Sequence, residues 1–293
     1  MSTALISIVL PVYNGARYLR QSIQSVLRQT HQKWELLVVD DCSTDSTPEI
    51  IAEYCSLDQR IRSFRHDKNR RLPGALNTGF IAAQGEYMTW TSDDNLYQPT
   101  ALQEMADYLD AHPEIAFVYT DFDLIDENGM LIETVLAGDW KDLGFVDVIG
   151  GCFLYRRIIH EKIGYYDENA FLAEDLEFEL RAMVNGFQFA PLHKNLYQYR
   201  DHPGALTSTK ARQIYRAHAE INQRYFPKMP WMSKETKARA YLHLARKALA
   251  IRDFTATLRF ILSGVSCSPL FTIGYALQYP FRNRSSTDSS SSP

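Results

Sequence analysis

The stretch Tyr87-Met88-Thr89-Trp90-Thr91-Ser92-Asp93-Asp94-Asn95 joins an apolar, strand-like segment directly to two adjacent carboxylates. In an open α/β sheet, ligands bind outside the carboxyl ends of the strands, so Asp93 and Asp94 are expected to face a substrate. Two hard oxygen donors this close suit Mg²⁺ or Mn²⁺, and such a cation suits a diphosphate. The alternative is a solvated turn whose acids cap the helix that follows Pro99.

Length and composition limit the class of protein. The 293 residues are enough for one large α/β domain with an appendage, and the net charge of −4 gives no reason to expect a nucleic-acid partner. The four cysteines have no CxxC spacing, so neither a zinc site nor a disulfide framework is indicated, and a reducing cytoplasm is expected. The apolar run from Ala4 to Val12 lacks a basic leader and is too short to span a bilayer, so it is predicted to be a strand.

The hydrophobic pattern predicts an α/β fold. Apolar β-rich runs alternate with amphipathic helical patterns through the first half, which is typical of a mostly parallel sheet. The predicted strands are 5–10, 34–39, 61–65, 87–90 and 115–123, and the predicted helices between them are 16–29 and 73–83. The sequence Asp126-Glu127-Asn128-Gly129 is typical of a hairpin turn, which brings antiparallel pairing into the sheet.

The pattern becomes helical beyond Gly204, with predicted helices near 210–225, 233–250 and 253–263. We therefore divide the chain into a catalytic domain over 1–203, a helical appendage over 204–284 and a disordered tail over 285–293, which is nearly all Ser, Thr and Asp. Aromatic and basic residues in the appendage, followed by an apolar run, suggest amphipathic helices. These helices either pack on their own catalytic domain or contact a partner helix or a membrane surface.

Two further motifs follow the first and second predicted strands at the same edge of the sheet. They are Pro11-Val12-Tyr13-Asn14 and Asp40-Asp41-Cys42-Ser43-Thr44-Asp45-Ser46-Thr47. A tyrosine can stack on a flat base, and a carboxylate accepts hydrogen bonds from a ring N–H, so Tyr13 and Asp41 are candidates to hold a nucleobase. Helix capping is an alternative for residues 43–47, but it does not explain Asp41.

Together these motifs resemble an inverting glycosyltransferase of family 2 with the GT-A fold. The resemblance covers residues 6–203, and it rests on five motifs in the expected order and spacing. They are the opening strand with Pro11 to Asn14, the segment Val38 to Asp45, Ala83-Gln84-Gly85-Glu86-Tyr87, Ser92-Asp93-Asp94-Asn95 with Pro99 after it, and Ala173-Glu174-Asp175-Leu176.

The resemblance implies roles for the strand-end residues. Asp41 binds the base of a nucleotide sugar and Tyr13 flanks that base, within the motif that also holds Pro11 and Asn14. Asp93 with Asp94 contacts the ribose and the metal-bound diphosphate. The commoner form of the family carries a further acid where this chain has Thr91, so the resemblance leaves open which single carboxylate ligates the metal.

The acids Glu174 and Asp175 open a helical stretch, and the resemblance implies that Asp175 is the general base. Inversion requires an acceptor hydroxyl to attack opposite the departing diphosphate, and a carboxylate in hydrogen-bond reach can take its proton. The transition state resembles the oxocarbenium ion of glycosidases, with a metal in place of a protonating acid at the leaving group. The alternative is the favourable placement of acids at a helix N-terminus.

The segment Tyr199-Arg200-Asp201-His202-Pro203 ends the matched region. Family members carry a basic or imidazole residue near here that faces the diphosphate, so Arg200 is a candidate phosphate donor and His202 a candidate metal ligand. A surface ion pair and a turn histidine are the respective alternatives. The Gln-x-x-Arg-Trp signature of processive members is absent, which favours transfer of one sugar per binding event.

The resulting hypothesis is a glycosyltransferase with Mn²⁺ or Mg²⁺ as cofactor, located in the cytoplasm or peripherally at the inner face of the cell membrane. Its donor is a nucleoside diphosphate sugar, UDP-linked, and its acceptor is a saccharide or a lipid-linked saccharide. A nucleotidyltransferase would need a Gly-rich basic phosphate loop after the first strand, where only Gly15 and Arg17 occur. A non-catalytic nucleotide-sugar-binding module would keep the fold without the site acids, all of which are present here.

Overall fold

The structure, a computed structural model, describes residues 1–143 and 148–278. The chain divides into two compact units, Met1–Ile221 and a helical unit that begins at Asn222. The predicted tail at 285–293 lies outside the described residues. The boundary predicted after residue 203 stays a prediction. Within the described ranges, no helix is both long enough and apolar enough to cross a membrane.

Nine strands and ten α-helices are found in the part of the chain that the structure describes. The strands are β1 (Ile6–Val12), β2 (Trp34–Asp40), β3 (Ile61–Arg65), β4 (Tyr87–Trp90), β5 (Leu96–Tyr97), β6 (Ile115–Ile125), β7 (Leu131–Val135), β8 (Phe153–Arg156) and β9 (Gln188–Arg200). The helices are α1 (Leu19–Leu27), α2 (Thr47–Leu57), α3 (Arg71–Ala82), α4 (Ala101–Ala111), α5 (Ile158–Ile163), α6 (Glu174–Val184), α7 (Leu206–Tyr225), α8 (Lys234–Ala250), α9 (Phe254–Cys267) and α10 (Pro269–Gln278).

All the strands belong to one mixed sheet. Their order is β3-β2-β1-β4-β8-β6-β9-β5, and β7 pairs with β6 beside this path. The first four strands in this order are parallel, whereas β8 runs antiparallel to both β4 and β6. The carboxyl ends of β1 to β4 therefore meet at one edge, and the segments that follow them carry Tyr13, Asp41, His66 and Asp93.

Packing of the central strands fixes this edge. Strands β1 and β2 are buried over their whole length, as expected for parallel strands that helices cover on both faces. Helix α1 covers them with Leu19, Ile23 and Val26, whose spacing places all three on one helical face. The register sets Val12 beside Asp40, so the residues directly beyond both strands lie next to each other.

The predicted α/β architecture is confirmed, and so are the predicted helices in the C-terminal segment. The turn predicted at Asp126 to Gly129 joins β6 to β7 as an antiparallel hairpin, closed by a hydrogen bond from Gly129 N to Asp126 O at 3.0 Å. Antiparallel pairing also enters through β8, which lies between two strands whose directions it opposes.

Candidate functional site

Asp41 lies directly after β2, and its backbone N–H donates to Val12 O at 2.8 Å. The residue is only 3 % exposed, so its charge needs partners inside the protein. His66 Nδ1 lies 2.7 Å from Asp41 Oδ1, and the backbone N–H of Arg70 donates to the same oxygen at 2.7 Å. Among the described residues none donates to Oδ2, which leaves this oxygen to accept from a ligand N–H.

The second ring nitrogen of His66 also has a hydrogen-bond partner. Its Nε2 lies 2.9 Å from Thr78 Oγ1, and the Thr78 hydroxyl donates to Gly74 O at 3.1 Å. Since the Asp41 carboxylate can only accept, His66 Nδ1 is the donor to Asp41, and Nε2 forms the hydrogen bond with the Thr78 hydroxyl. The imidazole is therefore fixed at both nitrogens, and it fixes the orientation of the Asp41 carboxylate.

The loops after β1 and β2 brace each other. Asn14 N donates to Ser43 Oγ at 2.9 Å, and Thr44 N donates to Asn14 Oδ1 at 2.8 Å. Gly15 N donates to Thr47 Oγ1 at 3.0 Å. Asn14 and Ser43 thus hold the loops together, and Asn14 adopts a left-handed backbone with φ 54°, a conformation that asparagine tolerates well.

Two other members of the predicted nucleotide site differ in exposure. Tyr13 is 54 % exposed, so its ring is accessible for stacking beside Asp41. Pro11 is buried within β1, where it lies opposite Val39 of β2. Its contribution there is to the strand that carries Tyr13.

Asp93 is half-buried and lies against the backbone of Gly15. A Cβ on Gly15 would fall 1.8 Å from Asp93 Oδ2, so only glycine leaves space for this carboxylate. Burial, together with repulsion from Asp94, raises the pKa of Asp93 to about 7. Neither acid caps the following helix, because the N-cap of α4 is Thr100. The capping interpretation of this acid pair is therefore wrong.

Asp94 is oriented by two side chains. Ser92 Oγ donates to Asp94 Oδ1 at 2.6 Å, and His202 Nε2 lies 3.1 Å from Asp94 Oδ2. The His202 ring also packs on Tyr18, with 5.1 Å between ring centroids. The structure thus brings the two predicted metal ligands, Asp94 and His202, into direct contact.

The donor set of this cluster fits a divalent cation that shares its ligands with a substrate. Asp93 and Asp94 offer hard carboxylate oxygens. Burial is the main cause of the raised pKa of Asp93, and the repulsion from Asp94 that adds to it is what a cation would relieve. Within the described residues, no group of three or more His, Cys, Asp and Glu is placed to hold an ion without further ligands. Mg²⁺ and Mn²⁺ commonly complete such a site with phosphate oxygens and water.

Arg200 is buried, with 2 % of its surface exposed. Its guanidinium donates to the backbone oxygens of Asp94, at 3.0 Å, and Glu127, at 3.2 Å, and to Gln21 Oε1 at 2.9 Å. These contacts attach the Asp93-Asp94 loop to α1 and to the β6–β7 hairpin. Through these contacts Arg200 positions the two acids. A direct contact between Arg200 and phosphate stays a prediction.

Thr91, where the commoner family form has an acid, is 1 % exposed. Its hydroxyl lies 2.7 Å from the hydroxyl of Tyr197, which is also buried. The threonine therefore completes a buried polar pair, and the acidic part of the site in this chain consists of Asp93 and Asp94.

Asp175 lies in the first turn of α6, and its Oδ1 accepts from Leu176 N at 2.7 Å. Its neighbour Glu174 is 4 % exposed and accepts from Leu172 N at 2.7 Å. Burial raises the pKa of Glu174 to about 8, and repulsion from Asp175 adds to the rise. Burial therefore favours the neutral form of Glu174, and Asp175 is the more exposed acid of the pair.

The segment that precedes α6 is attached to α3 through Tyr166 and Glu168. Asn77 of α3 holds the backbone of Tyr166 from both sides, with Nδ2 donating to Tyr166 O and Oδ1 accepting from Tyr166 N, each at 2.9 Å. Arg70, directly before α3, donates from Nη2 to Glu168 Oε1 at 2.9 Å and from its backbone N–H to Asp41 Oδ1 at 2.7 Å. The segment that leads into α6 therefore shares its attachment to α3 with Asp41.

The sequence analysis does not predict three residues that support the site in the structure. They are His66, Asn77 and Tyr166. His66 follows the carboxyl end of β3, so the strand-end rule that selects Asp41 also selects this histidine. No comparable signal marks Asn77 or Tyr166, because their contacts join segments 89 residues apart.

Two solved structures have the same fold as this chain. The chain is similar to TarS 1-349 from S. aureus in complex with UDP-GlcNAc, with a TM-score of 0.61 and 16 % identity over 95 % of this chain and 93 % of that one. It is also similar to the mannosyltransferase PcManGT from Pyrobaculum calidifontis in complex with GDP-Man and Mn²⁺, with a TM-score of 0.65 and 19 % identity over 94 % and 81 % of the two chains. The predicted GT-A fold is confirmed.

Sequence comparison identifies the family. The model described as "Glycosyl transferase family 2" matches residues 7–164. The putative teichuronic acid biosynthesis glycosyltransferase TuaG of Bacillus subtilis (strain 168) is 28 % identical over 78 % of this chain and 92 % of its own length. The chain spans only 24 % of the length of two other curated relatives, from Sinorhizobium fredii and Rickettsia bellii. On the family match, this chain belongs to glycosyl transferase family 2.

Proposed function

We propose that this protein transfers a hexosyl group from a nucleoside diphosphate sugar, UDP-linked, to an acceptor hydroxyl during synthesis of a cell-envelope polysaccharide or lipid-linked saccharide. The observation that carries the proposal is the convergence of Asp41, Asp93 and Asp94 at one edge of the sheet. Asp175, at the start of α6, is the proposed base. Glycosyltransfer needs a base site, a diphosphate site and a proton acceptor in this arrangement.

The names of the relatives support both a nucleotide sugar donor and a saccharide acceptor. TuaG is named for teichuronic acid biosynthesis, TarS is solved with UDP-GlcNAc, and PcManGT is solved with GDP-Man and Mn²⁺. Asp41 Oδ2 would accept from the ring N–H of uracil, and Tyr13 would pack on the face of that base. Asp93 would contact the ribose, and Asp94 with His202 would hold the cation at the diphosphate. When bound, such a cation would neutralise charge on the leaving diphosphate.

Asp175 would act as the general base in a single displacement. The acceptor hydroxyl gives its proton to the Asp175 carboxylate while its oxygen bonds to the anomeric carbon. The bond from that carbon to the diphosphate breaks, and the nucleoside diphosphate leaves with the electron pair. Attack opposite the leaving group inverts the anomeric configuration. Glu174 is buried, and burial raises its pKa towards the neutral form, so the more exposed Asp175 is the better candidate for this proton transfer.

No observation favours a nucleotidyltransferase. The cation nearest the loop after β1, Arg17, forms an ion pair with Glu127 at 2.9 Å and does not extend a basic phosphate loop. A non-catalytic binding module would not need Asp175. Loss of sugar transfer on substitution of Asp175 would therefore favour the proposal over this alternative.

Slow transfer to water tests the proposal without an identified acceptor. We expect purified protein with Mn²⁺ and a UDP-sugar to release the sugar with inverted anomeric configuration, observed by proton NMR before mutarotation. Asp175→Asn should lower this rate by about 10² to 10⁴-fold while retaining UDP affinity, because the amide cannot accept the proton. The adjacent control, Glu174→Gln, should stay within a few-fold of wild type. Retained configuration, or equal losses in both variants, would contradict the assigned base.

A further inference from the structure

Helix α9 exposes an apolar stripe on its solvent-facing side. The stripe consists of Phe254, Leu258, Leu262 and Val265, which recur at helical spacing and are 68 %, 60 %, 59 % and 36 % exposed. The opposite face is buried through Thr257, Phe260 and Gly264. Gly264 lets α9 approach α8 closely, since a Cβ there would lie 3.4 Å from Ala238 O. The exposed stripe is therefore additional to the face that α9 uses within its own unit.

Helix α9 is therefore apolar on both its buried face and its exposed face, unlike a usual amphipathic helix. A helix on the surface of a globular protein normally presents charged and polar residues to water, and a helix that is apolar on both faces meets a second apolar phase. Leu270 and Ile273 of α10 are also exposed, at 87 % and 57 %. An exposed apolar stripe such as that of α9 marks an interaction site.

The charge of the same segment indicates what covers the stripe. Residues 222–278 hold nine Lys and Arg against two Asp and Glu, although the whole chain holds 31 against 35. Arg252 is exposed and lies two residues before the start of α9, and Arg259 lies on α9 and lines the same open groove as Phe254 and Leu258. Apolar side chains bordered by arginines complement an anionic lipid surface, which offers both acyl chains and phosphate groups.

We propose that the Phe254–Val265 stripe docks on an anionic lipid bilayer, with α9 lying in the plane of the interface. The helix has 14 residues, which is too short to cross a hydrocarbon core that needs about 20. A two-fold, antiparallel contact between copies of this chain centred on the stripe would bring Arg259, near the middle of the stripe, close to its own counterpart, and this repulsion disfavours self-association. The inference is independent of the proposed donor, because no residue of the stripe belongs to the strand-end site.

Vesicle binding by the full chain tests the proposal. We expect the protein to sediment with vesicles of phosphatidylcholine mixed with phosphatidylglycerol, far less with phosphatidylcholine alone, and less at high salt. Leu258→Ser with Leu262→Ser should lower the partition coefficient by about ten-fold or more, since two leucines no longer enter the interface. Arg252→Gln with Arg259→Gln should lower it about five-fold for each charge removed.

Matched controls and a direct probe complete the test. Leu57 and Ile81 are equally exposed, at 69 % and 65 %, and their double substitution by Ser should leave vesicle binding unchanged. Leu258→Trp should be quenched by brominated acyl chains, whereas Leu57→Trp should not. No sedimentation with anionic vesicles, equal sedimentation with both compositions, or the same loss in the control variant would overturn the proposal. Self-association in place of vesicle binding would also overturn it.

Discussion

Asp93 Oδ2 lies so close to the backbone of Gly15 that a Cβ on this glycine would fall 1.8 Å from it. This contact joins the loop after β1, which carries the candidate base-stacking tyrosine, to the loop after β4, which carries the acid pair. Parallel pairing of β1 with β4 sets the two loops side by side, and the absent side chain lets them touch. The geometry of the acidic pair therefore depends on a residue with no functional group.

Gly15→Ala should impair donor binding without removing any functional atom. The added methyl must displace Asp93 or shift the loop backbone, and overpacking of this kind typically costs about 1–3 kcal/mol. We expect the affinity for UDP in Mn²⁺ to fall about ten-fold, by calorimetry. Gly274→Ala is a suitable control, because nothing lies within 4 Å of a Cβ at that position. Wild-type affinity in Gly15→Ala would show that Asp93 is not held in this position for binding.

Removal of Asp41 should weaken UDP binding by about 1.5 to 3 kcal/mol, the range for a hydrogen bond to a charged group. Since His66 acts on the base only through Asp41, His66→Phe should weaken UDP binding by a smaller factor. The double variant should bind UDP no more weakly than Asp41→Ala alone.

Asp58→Ala removes a carboxylate paired with Arg60 and serves as the control for charge and stability. Additive losses in the Asp41–His66 cycle would mean that the histidine contacts the nucleotide itself. An unchanged dissociation constant in Asp41→Ala would move the nucleobase to another part of the molecule.

His160 should make folding stability depend on pH. Its Nδ1 lies 3.2 Å from Gly164 O and its Nε2 lies 2.9 Å from the Tyr155 hydroxyl, which suits a neutral ring that donates from Nδ1. Burial lowers the pKa of His160 to about 4, whereas the unfolded chain takes up this proton near pH 6.5. The contribution to stability is therefore complete above about pH 6.5, and it decreases as the pH falls towards 4.

The His160 contribution to this change should reach about 3 kcal/mol in the free energy of unfolding, measured by urea titration as the difference between the pH profiles of wild type and His160→Gln. The difference isolates the histidine, because the raised pKa values of Asp93 and Glu174 change stability in the opposite direction over the same range and are common to both proteins. Phe178→Leu disturbs the same aromatic cluster without removing a titrating group, so it should lower stability but keep the wild-type slope. The same slope in His160→Gln would contradict the assignment.

Much of this architecture is predictable from local sequence. Strands β3 and β4 begin and end at the predicted residues, because short apolar runs bounded by turn residues specify them. Strands β8 and β9 do not stand out in the sequence. β9 contains Pro191 and pairs with β6 through several register shifts, so its pattern has no regular period, and its position depends on partners distant in the chain.

The candidate site divides in the same way. Asp41, Asp93 and Asp94 follow predicted strands, and their position at the sheet edge therefore follows from topology. The buried state of Arg200 has no such signal, because it arises from the carbonyl groups of Asp94 and Glu127 and from Gln21, which are far apart in sequence. Tertiary contacts of this kind decide whether an arginine binds a ligand or supports the loop that does.

Calorimetric titration of UDP into the wild-type protein and into Asp94→Ala, each in Mn²⁺ and in EDTA, tests the central claim most directly. Asp123→Asn provides a control, since this acid bonds to Thr134 on an exposed strand. We expect tight binding only for wild type and the control in Mn²⁺, with at least about a ten-fold loss in EDTA or in Asp94→Ala. Equal UDP affinity with and without Mn²⁺, and in Asp94→Ala, would contradict a metal-assisted diphosphate site at the end of β4.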